Sequence, residues 1–354
     1  MSSLSRSSNF ELMRLCCMFG IISMHSCASF FNNPSIGILL ELDAINTIFN
    51  TGVSLFILIS GYFGIRTSAK KIFSFWIRVL FCSILSCIIV ALINGSVSLR
   101  TIVTSLMPIV SNKYWFATSY LVLMLFAPIL NKAAVSLSQT SLKTVIIYCL
   151  IFFSIIPTFC FFTIPGSGKG ILHFIMMYMM GRYIALHMHD VKATKKTLVL
   201  LSLVLLIIFA LNYISSALYY VCFDVQKVIF PMSRDCSFFI IVASLLIFVL
   251  FKSCVINSTL LNKIASHVFC MYLMEGSLRC FLNMYIRLED YKNVFSFPLA
   301  LTCYVFIVML LCLIIGILQE FICSRLSNWI WPISDYLRSM INRYLSQRGN
   351  QPKI

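Results

Sequence analysis

Arg14 and His25 stand eleven residues apart inside the first hydrophobic run of the chain, ELMRLCCMFGIISMHS. Ionisable groups within a membrane helix are costly and usually face the protein interior or a water-filled path. Eleven residues make almost a whole number of turns, so both side chains fall on one helix face, roughly 16 Å apart along the axis. A His with a neutral form near pH 7 can serve as a base. An Arg keeps its charge and suits phosphate or carboxylate. Glu11 precedes Arg14 by three residues on the same face and is placed to pair with it. Arg14 and His25 are too far apart to touch one reacting atom, but a long donor molecule held at one end could react at the other. The plainer alternative is a snorkelling Arg and a helix-packing His.

Two further groupings could carry chemistry. FILISGYF places Ser60-Gly61 in the second run, a small pair that permits close helix approach. Lys70, Lys71 and Arg78 follow it, readable as a topology signal or as a phosphate site. The ninth run carries Glu275 and Arg279 at i,i+4 spacing, with His267 on the same face. That pair can fix helix packing, or its carboxylate can act in a site and orient His25. The spacing satisfies the pair without any contact to another helix, which favours packing.

These residues must be positioned by membrane helices. The 354 residues are 60% hydrophobic and 11% charged, with mean hydropathy +0.96, far from soluble domains. Runs able to span a ~30 Å core fall near 11–31, 46–65, 72–94, 115–135, 143–164, 171–186, 197–223, 233–252, 264–286 and 297–322. The first run carries Arg14 and lacks a small-residue cleavage site, so it is expected to stay as a helix rather than leave as a signal peptide. The expected fold class is therefore all-α and polytopic, about ten transmembrane helices in one bundle over residues 1–324.

The net charge of +16 does not indicate nucleic acid, because the basic residues are scattered over short loops and the tail; anionic lipid and topology account for it. Of 27 Lys and Arg, 18 fall on the side shared by both termini, 7 on the other, and Arg14 and Arg279 lie within helices. Both termini are thus expected in the cytoplasm. Residues 325–354 form a basic tail. Its apolar positions Ile333, Tyr336, Leu337, Met340, Ile341, Tyr344 and Leu345 have helical spacing with arginines between them, the pattern of an amphipathic interfacial helix. The outward loop at 95–114 is expected to hold a short interfacial helix around Leu106, Met107 and Ile109, leading into Tyr114-Trp115. Fifteen dispersed cysteines, without repeated C-x-x-C spacing, read as small buried hydrophobes. The His187-Met188-His189-Asp190 cluster reads as a solvated basic loop, and no metal site is expected.

Several stretches together carry a resemblance. Arg14 to His25 matches the Arg-x10-His signature of the acyltransferase-3 family of integral-membrane acyltransferases. NTGVSLFILISGYF (50–63), YWFATSYLVLMLFAPILN (114–131), FIMMYMMGRYI (174–184) and INSTLLNKIASHVFCMYL (256–273) are similar to that family's motifs and follow in its order. The members most like this chain act as bacterial O-acetyltransferases of O-antigen, capsule and exopolysaccharide. The resemblance implies acetyl-CoA as a donor on the cytoplasmic side and a sugar hydroxyl, on a polysaccharide or lipid-linked oligosaccharide, at the outer side of the inner membrane. It implies His25 as catalytic histidine, Arg14 as its motif partner, and Lys70, Lys71 and Arg78 as the basic cluster for coenzyme A phosphates. One departure stands out: relatives often carry a His near the position of Glu275.

On this reading His25 accepts the hydroxyl proton as the sugar attacks the thioester, or forms an acetyl-histidine. Ser60 and Tyr120 are candidate oxyanion donors, with Trp115 in a supporting place. A flippase or polymerase of lipid-linked glycans is the competing expectation; it would favour a basic central cavity or a large outer loop. A purely structural membrane subunit is a third, disfavoured by the buried Arg14, His25, Glu275 and Arg279.

Overall fold

A computed structural model describes residues 7–31, 36–160, 168–225, 227–291 and 296–349. Helices follow one another with no strand among the described residues: α1 (Ser8–Ser26), α2 (Ile36–Phe49), α3 (Gly52–Phe63), α4 (Ala69–Asn94), α5 (Leu99–Leu106), α6 (Trp115–Ser136) and α7 (Gln139–Leu150). The second half has α8 (Ile156–Phe159), α9 (Ile171–His187), α10 (Lys195–Phe223), α11 (Phe238–Ser253), α12 (Thr259–Ala265), α13 (Val268–Leu282) and α14 (Phe297–Gly349). Each of the ten expected runs coincides with helical backbone. Among the described residues, six segments are long and apolar enough to cross a membrane: Gly37–Phe63, Ala69–Asn94, Trp115–Ser136, Gln139–Phe159, Lys195–Phe223 and Phe297–Pro332. The other four are shorter or more polar. The chain is an all-α polytopic membrane protein.

Departures from the expected boundaries have local causes. The second run begins ten residues earlier, because α2 carries Glu41 and Asp43 as helical residues, and it breaks at Asn50-Thr51 before α3. Asp43 tolerates this depth because it is buried in protein, within reach of Thr47. Pro128 does not interrupt α6. Pro157 has no N–H to donate, and the helix absorbs that loss as a π turn over Ile151–Ile155. The ninth run is two helices, α12 and α13, joined at Ser266-His267. The interfacial helix α5 lies earlier than expected, at Leu99–Leu106, and Met107 to Tyr114 form turns. The backbone of α14 continues through Pro332 to Gly349; the side-chain pattern expected beyond Pro332 lies outside the described residues.

The most polar of the long helices is the central one. α1 packs against α2, α3, α12, α13 and α14. Its Met18, Ile21 and Ile22 join an apolar cluster with α4, α13 and α14. Phe10, Met13 and Cys17 join a second cluster with α3, α6 and α9. Surrounding α1 by protein keeps Glu11, Arg14 and His25 away from lipid.

α3 and α9 touch backbone to backbone. A Cβ on Gly61 would overlap the Tyr178 carbonyl, and one on Gly181 would overlap the Leu58 carbonyl. Small residues at such a crossing maximise close packing where no hydrophobic effect drives helices together. Gly61→Val and Gly181→Val are each expected to destabilise by about 1–3 kcal/mol through overpacking. The check is the thermal midpoint and monodispersity of the purified variants in detergent; wild-type values for either would contradict this contact.

Candidate active site

His25 occupies the last turn of α1, and Glu275 and Arg279 lie one turn apart on α13. The carboxylate serves both neighbours. Glu275 Oε1 stands 2.9 Å from His25 Nδ1, and Oε2 accepts from Arg279 Nε at 2.6 Å. Arg279 Nη1 closes the ring by donating to the His25 carbonyl at 2.8 Å. The expectation that Glu275 pairs within its own helix and needs no other is therefore revised. The i,i+4 bond forms, and it leaves one oxygen free to reach α1.

The arrangement fixes a tautomer. A carboxylate held by Arg279 only accepts, so His25 Nδ1 is the donor, and in the neutral imidazole Nε2 is the nitrogen with the lone pair. Glu275 is nearly buried, with a side chain 9% exposed, whereas that of His25 is 46% exposed and lines a cavity. A buried orienting carboxylate behind an accessible imidazole is the arrangement of a general base. His267, expected on the same face, instead lies 3.6 Å from Glu320 of α14, because the break before α13 turns it away.

The cavity has a volume of about 320 Å³. Arg14 and Glu11, paired at 2.6 Å, line it together with His25. Its walls are aromatic, including Phe56, Trp115, Phe116, Phe269 and Tyr272. A second, more open cavity of about 430 Å³ is lined by Arg14, Arg66, Lys71 and Arg78. Arg14, Ser60, Phe75 and Tyr120 line both. There the Ser60 hydroxyl lies 3.3 Å from that of Tyr120.

Local sequence builds the basic mouth. Gly64, with φ +71°, ends α3 in a conformation that L side chains rarely adopt, and its N–H caps the Ser60 and Gly61 carbonyls. Ser68 then caps α4 by accepting from the Lys71 N–H at 3.3 Å. Lys71, Ser74 and Arg78 share one face of α4 and line the mouth. Lys70 is one position off that face; its Nζ points to Asn328 of α14 at 3.5 Å. The structure thus brings His25, Arg14, Glu11, Ser60, Trp115 and Tyr120 together around the inner cavity, with Glu275 and Arg279 behind His25, and Lys71 and Arg78 at the mouth. Lys70 stands apart.

Three lining residues were missed from the sequence. Asn50 sits at the α2–α3 break, Lys169 in the GKG turn before α9, and Asp235 in the loop before α11. The sequence signal was charge or amide polarity, close to glycine for Asn50 and Lys169 and without one for Asp235. Burial pushes the Asp235 carboxyl up to about 6, against the opposing effects of the Lys169 charge and the Asn50 hydrogen bond.

A helical membrane bundle in which a carboxylate-held imidazole faces an internal cavity beside a cationic one has the parts a membrane-embedded enzyme needs. The family model described as an acyltransferase domain matches residues 7–317, and the chain belongs to the acyltransferase-3 family. No curated protein and no solved structure matches it.

Glu275→Gln presents an amide in place of the shared carboxylate and leaves Arg279 without its countercharge. Turnover is expected to fall about 10²- to 10⁴-fold, the scale of a lost positioned base. The thermal midpoint should fall with it, because breaking a buried pair costs about 3–5 kcal/mol. Acyl transfer assays and thermal scans of the same preparation test both, and a variant as active as wild type would remove Glu275 from the site.

Proposed function

We propose that this acyltransferase moves an acetyl group from cytoplasmic acetyl-CoA to a sugar hydroxyl of a bacterial surface polysaccharide or its lipid-linked precursor. The observation that carries the reading is the pair of adjoining cavities, one with a basic mouth and the other with His25, that share Arg14, Ser60, Phe75 and Tyr120. The nucleotide phosphates of coenzyme A match Arg66, Lys71 and Arg78 at the mouth. The pantetheine arm is long enough to pass Ser60 and Tyr120 and bring the thioester to His25. Arg14, neutralised in part by Glu11, lines both cavities.

At His25 the chemistry needs one proton moved twice. Nε2 takes the proton of the sugar hydroxyl while its oxygen attacks the thioester carbonyl. The tetrahedral intermediate collapses with cleavage of the C–S bond. The imidazolium, stabilised by Glu275, returns the proton to the departing thiolate. Ser60 and Tyr120 are within the path as hydroxyl donors for the carbonyl oxygen. The chain sits in the inner membrane with both termini in the cytoplasm, a reading supported by the excess of Lys and Arg on that side.

His25→Ala is expected to abolish acetyl transfer with membrane insertion unchanged. The measurement is O-acetyl content of the surface polysaccharide by NMR in a deletion strain complemented with either form; normal O-acetylation from the variant rules out the base. For the donor, Lys71→Ala combined with Arg78→Ala should weaken acetyl-CoA binding, most strongly at low salt, since screening already removes much of the attraction at high salt. Lys70→Ala should leave it unchanged. Calorimetry across salt concentrations separates the two, and equal effects at both sites would refute the mouth.

A further inference from the structure

Asp235 is 3% exposed yet lines the same cavity as His25. Its Oδ1 accepts from Asn50 Nδ2 at 3.4 Å, and its Oδ2 is buried with no partner. A buried carboxylate oxygen left unpaired is costly, and native proteins rarely keep one without a use. Lys169 and Trp115 line the cavity beside it, with Lys169 Nζ 5.8 Å from the centre of the Trp115 ring.

The wall is built rather than incidental. Asn50 also donates to the Ser233 carbonyl, and Asn212 of α10 donates to the Ser233 hydroxyl at 2.8 Å while accepting from the Met232 N–H at 3.0 Å. Arg234 reaches the Pro157 carbonyl at 3.1 Å, and the Phe238 N–H donates to Thr158 at 3.0 Å. The loop carrying Asp235 is therefore fixed to α2, α8 and α10. Gly168 has φ +93°, and a Cβ there would press on Cys236 N and on Asp235 itself. Only glycine lets the 168–170 turn approach closely enough to set Lys169 beside the carboxylate.

We infer that Asp235, Asn50, Lys169 and Trp115 form the acceptor-binding wall of the cavity, taking a neutral, hydroxyl-rich pyranose ring. This rests on the O-acetyl transfer reading and adds to it the residues and the charge class of the acceptor. The Asp235 carboxylate accepts only and Lys169 donates only, so a ring that faces both residues must offer donors and acceptors together, as vicinal hydroxyls do. Trp115, whose ring lies beneath Lys169 Nζ, adds apolar surface for the C–H groups of such a ring, the usual division of labour in small-ligand pockets. The opposite charges cancel across the wall. A charged sugar would pair with one of the two residues and be repelled by the other, so the wall as a whole favours a ring without net charge.

The test uses the full chain in nanodiscs and saturation-transfer NMR with methyl α-D-glucopyranoside and methyl α-L-rhamnopyranoside. Methyl β-D-glucuronide and glucosamine serve as charged probes. The neutral pyranosides should bind wild type, and Asp235→Asn and Lys169→Met should each weaken that binding about tenfold or more, the scale of a hydrogen bond to a charged group. Acetyl-CoA affinity of both variants should stay at the wild-type value, which also reports that they fold. Equal pyranoside binding by the variants, binding of the charged probes alone, or no pyranoside binding to wild type would each overturn the inference. Wild type that binds a pyranoside through Asp235 but transfers no labelled acetyl to any hydroxyl would instead overturn the transfer reading, leaving the wall in place.

Discussion

The site depends on one carboxylate shared between two helices. Glu275 spends one oxygen on Arg279 of its own helix and the other on His25 of α1, and Arg279 returns a bond to the His25 backbone. Removing charge from water at this depth is expensive, and only a closed set of partners offsets it. Because the three groups close on one another, the imidazole is held in one orientation and one tautomer. The end of α1 is tied to α13 through that closure. That tie sets His25 against α13, while the pitch of α1 sets the Glu11–Arg14 pair relative to His25.

Elements that declare themselves by composition were legible in the sequence. The apolar runs located the helices, and the polarity of α1 within such a run marked it as the interior helix. Arg14 and His25 share the cavity because eleven residues bring the helix round to the same face, a consequence of pitch alone. Lys71 and Arg78 reach the mouth for the same reason, and Lys70 misses it by one step of that pitch.

What composition could not declare lies in contacts between distant segments. Glu275 and His25 are separated by 250 residues, and nothing in the i,i+4 pattern reveals that the carboxylate has an oxygen to spare. The acidic residues of α2 argued against helix on hydropathy, whereas burial among protein neighbours makes Asp43 tolerable. The break at Ser266-His267 and the meeting of the GKG turn with the Asp235 loop are likewise set by packing. Lys169 and Asp235 could be seen as polar but not as neighbours.

The backbone contact between α3 and α9 has a consequence for how the bundle can work. Transport proteins that carry a solute across a bilayer rock one half against the other about a central site, and such rocking needs helices that slide or part. Gly61 and Gly181 bring two main chains into direct contact beside the cavity, with no side chain between them to act as a bearing. A bundle riveted there lacks the sliding seam that such rocking requires, so whatever reaches the cavity must enter a fixed frame rather than one that turns about it.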